Sequence, residues 1–577
     1  MSGASVSRTV ALALVVLILV FSAIAIAWSP GRVAETVVAR RHIAVTANPH
    51  ASEAARTILR AGGSAVDAAI AAQLVLTLVE PQSSGIGGGL FMLVSDSKRQ
   101  LRVFDGREAA PGNASPKMFL DASGKARSFN DIATGGLAVG VPGAIAALWQ
   151  AHQAHGRLPW KAVFQPAIEL SEKGFRVTPI LAHAISELQV DELNPAMQAL
   201  YFRADGTHVR AGDRIRDPDL AKTLRLIAEK GPAGFYDGEV AQAIVAAVRS
   251  SRRNPGVMTL EDLASYRAVE SPSLCRPYRA YRVCTAPLPS GGLTVLQILG
   301  ILQTMPPAHL RPNSVFQAHL LSQASRLAFA DRARWLGDPA AVQVPTEGLL
   351  DRAYLSVRAK DIESAKDMGT ATAGKPSAPG AHLPDYAPQR TQVGHGTSHL
   401  AIVDERGMVV SMTMSIQASF GSQVRAAGIV LNNELTDFST EPAVEGRSVA
   451  NAPAPGKRPL SAMSPAIVFD ERGGFFAAIG SPGGPDIIAF NVRALSDLID
   501  GRTSVAQAVS NPHVVNLNGP TYLEKRFSSL WIGPALMAKG HTVRFRELQS
   551  GLNGILKTGD RYEGASDIRG EGGARGD

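Results

Sequence analysis

Residues 394–417, GHGTSHLAIVDERGMVVSMTMSIQ, hold two alternating segments on either side of a turn. In the first, Leu400 and Ile402 fall on one face, and Thr397, His399, Ala401 and Val403 on the other. In the second, Met412, Met414 and Ile416 oppose Ser411, Thr413, Ser415 and Gln417. Period two around a glycine-containing turn predicts an antiparallel hairpin. With Glu405-Arg406-Gly407 as a three-residue loop and Gly407 left-handed, Asp404 faces Met408, and counting outward sets Thr397 opposite Ser415. A slip of one residue would move every side chain to the other face. A strand lined with Ser, Thr and Gln either faces solvent or gives its hydroxyls partners inside, because a buried unpaired hydroxyl is costly.

Upstream, HASEAARTILRA (50–61) reads as a helix stopped by Gly62-Gly63. Ser64 to Asp67 is a capping start for an almost wholly apolar second helix that runs to Pro81 and belongs in an interior. The glycines at 85 and 87–89 suggest a dinucleotide loop at first sight. Leu90 occupies the third glycine position, however, and a strand-like FMLVS follows where a helix should open. Those glycines instead permit close backbone approach. Arg107-Glu108 after LRVFDG reads as a surface pair, and residues 130–260 as a helical layer. Met368 to His395 turns to Gly, Ala, Pro, Ser and Thr without periodicity, an exposed linker ending just before Thr397. Downstream, AGIVLNNELTDFS, KRPLSAMSP and FFAAIGSPGGP follow; the backbone N–H groups of Gly483-Gly484 suit an oxyanion. YEGASDIR is the last expected strand, with a polar tail after it.

The 577 residues are 45% hydrophobic and 19% charged, an ordinary globular balance. A formal charge of +8 is spread without a basic stripe, and aromatics are 6%, which argues against nucleic-acid binding. Residues 9–28, TVALALVVLILVFSAIAIAW, preceded by Arg8, form an export segment, so residues 1–28 are a signal peptide or an N-terminal membrane anchor. The rest of the chain then faces the extracytoplasmic side, periplasmic or anchored. Cys275 and Cys284 bracket RPYRAYRV; a short strand-turn-strand would join them as a disulfide, the other reading being two buried thiols. No further ligands complete a zinc site there.

In their order, GGSAVDAAIAAQLVLTLVEPQSSGIGGGLFMLV, FDGREAAP, TLEDLASYRAVE, PLPSGGL, GTSHLAIVD, GIVLNNELTDFS, KRPLSAMSP, GSPGGPDII and YEGASDIR resemble the γ-glutamyltransferases (glutathione hydrolases), a family of N-terminal-nucleophile hydrolases. The resemblance implies an α+β fold, a four-layer αββα sandwich built jointly by two autocleaved pieces. Cleavage at Gly396–Thr397 would leave a large subunit, 29–396, and a small subunit, 397–577, paired as a heterodimer. The chemistry requires such a cut: it frees an α-amine to act as base for the Thr397 hydroxyl within one residue. By resemblance Ser415 orients the nucleophile, Gly483 and Gly484 form the oxyanion hole, and Arg107 grips the donor α-carboxylate. Glu434 and Asp437 take its α-ammonium, Gln417 stands where the family commonly has Asn, and Ser461 contacts the carboxylate. Ala462 replaces a common second serine. The implied reaction passes a γ-glutamyl group from glutathione or a similar donor to water, an amino acid or a peptide, with no cofactor and no metal. Two other readings are a glutaryl (cephalosporin) acylase of the same superfamily and an unprocessed, envelope-anchored binding paralogue.

Overall fold

The computed structural model describes residues 32–577 apart from 379, 381–382, 390–393 and 395. The hairpin of 394–417 forms as its alternation predicts, with strands Gly396–Val403 and Val409–Gln417. Gly407 has φ +80°, the Asp404 N–H donates to the Met408 carbonyl at 3.0 Å, and Thr397 lies opposite Ser415. These strands sit at the middle of a seven-stranded sheet. Its order is Gly573–Gly576, Ile43–Thr46, Gly396–Val403, Val409–Gln417, Gly89–Ser95, Leu101–Asp105 and Val269–Pro272.

A second seven-stranded sheet runs Val37–Ala39, Arg561–Ser566, Asn553–Thr558, Phe475–Gly480, Ala466–Phe469, Tyr281–Thr285 and Leu274–Tyr278. Period two gives each sheet two buried faces, and three cores make four layers. Leu400, Ile402, Met412 and Met414 pack on a helical layer that includes Pro49–Arg60, Ala65–Val79 and Trp160–Lys173. Ala401, Val403 and Val409 face Ile467, Phe469 and Ala478 between the sheets. Val468, Ala477 and Ile479 pack on the helices Gly292–Leu302, Val315–Trp335 and Ile487–Ile499. The arrangement is the expected αββα sandwich, and residues either side of Gly396–Thr397 interleave in both sheets.

Burial on both sides overturns an exposed hydroxyl face: Ser411, Thr413 and Ser415 are buried between the sheets. The Ala65–Val79 helix is buried along its whole length, capped by Ser64 and Asp67 in a reciprocal box. A Cβ on Gly88 would lie 2.0 Å from the Ser415 carbonyl, so only glycine lets these strands approach. Cys275 and Cys284 are joined as a disulfide across a hairpin.

Three expectations fail. Arg107 and Glu108 are both fully buried, because the turn after Asp105 points inward under Tyr266, whose hydroxyl donates to the Arg107 carbonyl at 2.6 Å. The described part of 368–395 is docked. Trp335 and Arg358 donate to the carbonyls of Gly374 (3.1 Å) and Thr372 (2.8 Å), and Tyr386 and Ala387 are buried. Helix side chains satisfy this irregular backbone, which periodicity does not register. The polar tail is an edge strand, Gly573–Gly576 on Ile43–Thr46, and the Asp577 side chain is clamped by Arg60 at 2.6 Å. Residues 1–28 lie outside the described residues; among those described, no helix is long and apolar enough to cross a membrane.

Candidate active site

At the head of the central hairpin the register shifts between Gly396 and Thr397, so that Gly396 pairs with Gln417 and Thr397 with Ser415. Ile416 is the extra residue, and Gln417 beside it has φ +81°, a left-handed conformation costly for a side chain this long. The bulge puts one hydroxyl in contact with both sides of the Gly396–Thr397 bond. Ser415 Oγ accepts from the Thr397 hydroxyl at 3.3 Å and from the Gln417 N–H at 2.8 Å. Its single proton goes to the Gly396 carbonyl at 2.8 Å. The Thr397 hydroxyl and the Gly396 carbonyl are thus tied through one side chain.

His399 lies on the same strand face, yet it is no base for Thr397. Its Nδ1 pairs with the Thr413 hydroxyl at 2.8 Å, and burial depresses the imidazole pKa to about 3, which makes the ring too weak a proton acceptor.

A small cavity of about 50 Å³ opens beside Thr397 and Ser415. Gln417, Glu434, Asp437, Ser461 and Gly484 share its wall, so nearly all the site residues expected from the sequence meet in one chamber. Arg107 stands behind the acids. Its side chain is fully buried, with Nε on the Pro459 carbonyl at 3.0 Å, Nη1 on Glu434 and on Glu108 at 3.3 Å, and Nη2 on Asp437. Glu434 is held on a short helical turn, Glu434–Asp437, whose entry is fixed by Asn432 and Asn433. Gln417 Nε2 donates to Asp437, spanning the distance with its extra methylene.

Burial drives the charged groups apart in tendency. Desolvation pushes Glu108 well above the ordinary carboxyl range, and the nearby Glu434 charge adds to it. The same burial lifts Asp437 to about 7 against the pull of Arg107. Arg107 itself is raised: burial alone would lower it, but Glu434, Asp437 and Glu108 outweigh that cost. Three acids thus crowd one guanidinium at the chamber wall, and burial offsets their ionisation.

Gly483 and Gly484 both have positive φ, +132° and +57°. A Cβ on Gly484 would stand 1.7 Å from the Gly394 carbonyl, so the uncut chain covers this loop with the residues just before Thr397. Ser461 Oγ accepts from the Met463 N–H at 3.1 Å, leaving its proton for another partner, and Ala462 lines the chamber as a bare methyl.

Three residues of the site were not read from the sequence. Asn451 donates to the Asp437 carbonyl at 2.8 Å from the loop after the two-residue strands Ala443–Val444 and Arg447–Ser448. Glu108 was read as surface. Arg332 lies in the Val315–Trp335 helix, which is buried on every side from Gln317 to Arg332 and so gives no periodic signal of a site. Among the described residues no group of three His, Cys, Asp or Glu side chains is arranged to hold a metal ion.

The sequence profile of the family described as Gamma-glutamyltranspeptidase matches residues 51–576. The chain is 37% identical over 484 residues to a glutathione hydrolase proenzyme of Bacillus subtilis, covering 83% of this chain and 81% of the relative. It is 35% identical over 544 residues to the glutathione hydrolase proenzyme of Escherichia coli, covering 92% and 91%. A cephalosporin acylase of Bacillus halodurans superposes with a TM-score of 0.82 at 28% identity, covering 95% of this chain and 98% of that one.

Proposed function

We propose that this chain, which belongs to the γ-glutamyltranspeptidase family, is a self-processing γ-glutamyltransferase and glutathione hydrolase. The observation that carries the reading is the Ser415 hydroxyl, which bonds both the Thr397 hydroxyl and the Gly396 carbonyl. Thr397 Oγ attacks the Gly396 carbonyl carbon, the C–N bond breaks, and an ester to Thr397 forms while its α-amine is released. Water then splits the ester, leaving residues up to Gly396 and residues 397–577 as large and small subunits of one heterodimer. Strands of both pieces interleave in the two sheets, so the cut pieces stay together.

In the processed enzyme the new α-amine is the base. Among the described residues the chamber offers no competing one, since its carboxylates are engaged by Arg107 and Gln417, and burial makes His399 too weak a base. The amine takes the Thr397 proton as Oγ attacks the γ-amide carbon, and gives it to the departing amine. Gly483 and Gly484 hold the oxyanion once the segment at Gly394 has withdrawn. Water or an amine acceptor then takes the γ-glutamyl group from the ester. Glu434 and Asp437 receive the donor α-ammonium, with Arg107 fixing both acids from behind, and Ser461 offers its hydroxyl proton to the donor α-carboxylate.

The acid pair Glu434 and Asp437 on the chamber wall favours this reading over a glutaryl acylase. A glutaryl chain has no ammonium to set against Glu434 and Asp437. The disulfide Cys275–Cys284 supports a site of action outside the cytoplasm, reached through residues 1–28 acting as signal or anchor.

The test combines a denaturing gel with a choice of substrates. Active protein runs as two pieces, the smaller starting at Thr397, and turns over a γ-glutamyl anilide faster than a glutaryl anilide. Thr397→Ala gives one intact, inactive chain. Normal cutting in that variant, or faster turnover of the glutaryl compound, would overturn the assignment.

A further inference from the structure

The helix Ser529–Ala538, SLWIGPALMA, is built unlike an ordinary surface helix. After Ser529 none of its side chains carries a charge, a hydroxyl or an amide. Ile532 and Leu536 are buried with Leu523 and Ala318, and that contact accounts for the inner face. The outer face should then be polar, because a helix that is apolar all round belongs in an apolar surrounding. Instead Trp531 and Met537 are 50% and 47% exposed, and Phe527, just before the helix, 55%. The Phe527 and Trp531 rings meet edge to face with centroids 5.7 Å apart. Beyond the helix end, Phe316 is also exposed, with Lys539 Nζ 5.4 Å from its ring centroid. Residues 524–547 hold five Lys or Arg against two Glu, and Lys525 and Arg544 among them are exposed.

We infer that this face is a docking surface for anionic phospholipid. The chain's own export segment says why lipid is the occupant. Residues 9–28 are an apolar run of bilayer-spanning length, and the described chain begins only a few residues later, at Arg32. The Ala34 N–H donates to Ser510 Oγ at 2.8 Å. The Ser510 carbonyl accepts from Arg569 at 3.3 Å, Arg569 holds Glu524 at 2.7 Å, and the Glu524 carbonyl accepts from Ser529 Oγ at 2.6 Å. Ala34 and the head of the apolar helix are thus tied into one knot. Six residue steps separate Trp28 from Ala34, which at full extension reach about 20 Å, so a bilayer holding 9–28 lies close to this helix. Exposed aromatics flanked by cations suit the boundary of headgroups and acyl chains, where the rings enter the hydrocarbon and the cations meet phosphate. The net charge of +8 acts in the same direction. The inference is independent of the substrate assigned to Thr397.

The experiment takes the enzyme as cells mature it and adds vesicles of phosphatidylcholine in which about one lipid in four is phosphatidylglycerol. Quenching of indole fluorescence by brominated acyl chains is compared between wild type and Trp531→Phe, which keeps the apolar surface and removes the reporter. The difference is the signal of Trp531 alone, whatever the other four tryptophans contribute. Trp531 is expected to be quenched in the mixed vesicles. Phe527→Ser should lower the ratio of docked to undocked enzyme roughly tenfold, through the apolar area it removes. Lys525→Glu with Arg544→Glu should lower it by a similar factor, and high salt should mimic that loss. Thermal melting checks that each variant is folded, and these exposed positions should melt within a few degrees of wild type. A Trp531 equally bright in brominated and plain vesicles would overturn the inference. So would a wild type that dimerises through this face, seen by light scattering as a dimer lost in Phe527→Ser, with Trp531 unquenched. Equal quenching in phosphatidylcholine alone would overturn the anionic preference.

Discussion

Two of the buried ionic knots among the described residues are finished to different degrees. One joins the C-terminal segments. Arg569 bonds both oxygens of Glu524 at 2.7 Å and Asp567 at 2.7 Å, and its remaining N–H groups reach the carbonyls of Val509, Ser510 and Asn511. Glu524 also takes Arg526 at 2.7 Å and the His513 N–H at 3.0 Å. The other surrounds Arg107 and leaves Glu108 Oε1, Glu434 Oε1 and Arg332 Nη1 without hydrogen-bond partners among the described residues. The chemistry of the groups is the same, and their surroundings decide the outcome. Burial alone would raise Glu524, but Arg569 and Arg526 pull it below the usual glutamate range. In the chamber burial wins, and Glu108 and Asp437 are pushed up. A satisfied knot ties segments together, whereas an unsatisfied one beside a cavity is held ready for a ligand.

That contrast breaks if the two knots answer mutation alike. Glu524→Gln should have the largest effect on folding. It removes the charge on which Arg569 and Arg526 converge, and breaking a buried pair in this way costs about 3–5 kcal/mol. Chemical denaturation reads the loss, and the donor KM of the remaining folded enzyme should be unchanged. Glu434→Gln should do the reverse. Donor kcat/KM falls roughly 100-fold as a partner of the ammonium is lost. Stability holds or rises, because one of three acids crowded round one arginine has gone. A Glu434→Gln protein that unfolds as readily as Glu524→Gln would show the chamber to be a structural knot.

How far the sequence carried these regions differs as well. The hairpin was legible to the residue, since period two and one glycine turn fix Thr397 opposite Ser415. The layers beyond it, and the acids at Glu434 and Asp437, came through resemblance, because polar residues on irregular turns leave no periodic trace. Arg332 was invisible for a physical reason: its helix is buried all round from Gln317 to Arg332, so no face distinguishes a charge aimed at a cavity. The tail strand Gly573–Gly576 was missed because glycine and arginine carry no strand preference of their own; pairing with Ile43–Thr46 imposes it. The docked stretch 368–378 failed similarly, its order supplied by Trp335, Arg358 and Asp331 from elsewhere in the chain.

The smallest effect, and the sharpest on the comparison, is in pH. Asp437 loses its proton at about 7, and only the ionised form holds an ammonium. Donor affinity, read as 1/KM, should therefore rise about tenfold between pH 6 and pH 8, the change in ionised fraction across one pKa. Asp437→Asn removes that rise and leaves the weaker affinity throughout. For stability the two knots carry opposite signs. A carboxyl whose folded pKa is raised favours the fold below its unfolded value and loses that contribution as pH climbs through about 7, as Asp437 does. A carboxyl whose folded pKa is lowered contributes above its unfolded value and loses it as pH falls, as Glu524 does. Asp437→Asn should thus gain stability over wild type between pH 5 and pH 8, while Glu524→Gln should converge with wild type only below about pH 4, where an ordinary glutamate is protonated. Parallel pH curves for the two variants would mean that the cavity makes no difference to how the chain holds its buried charges.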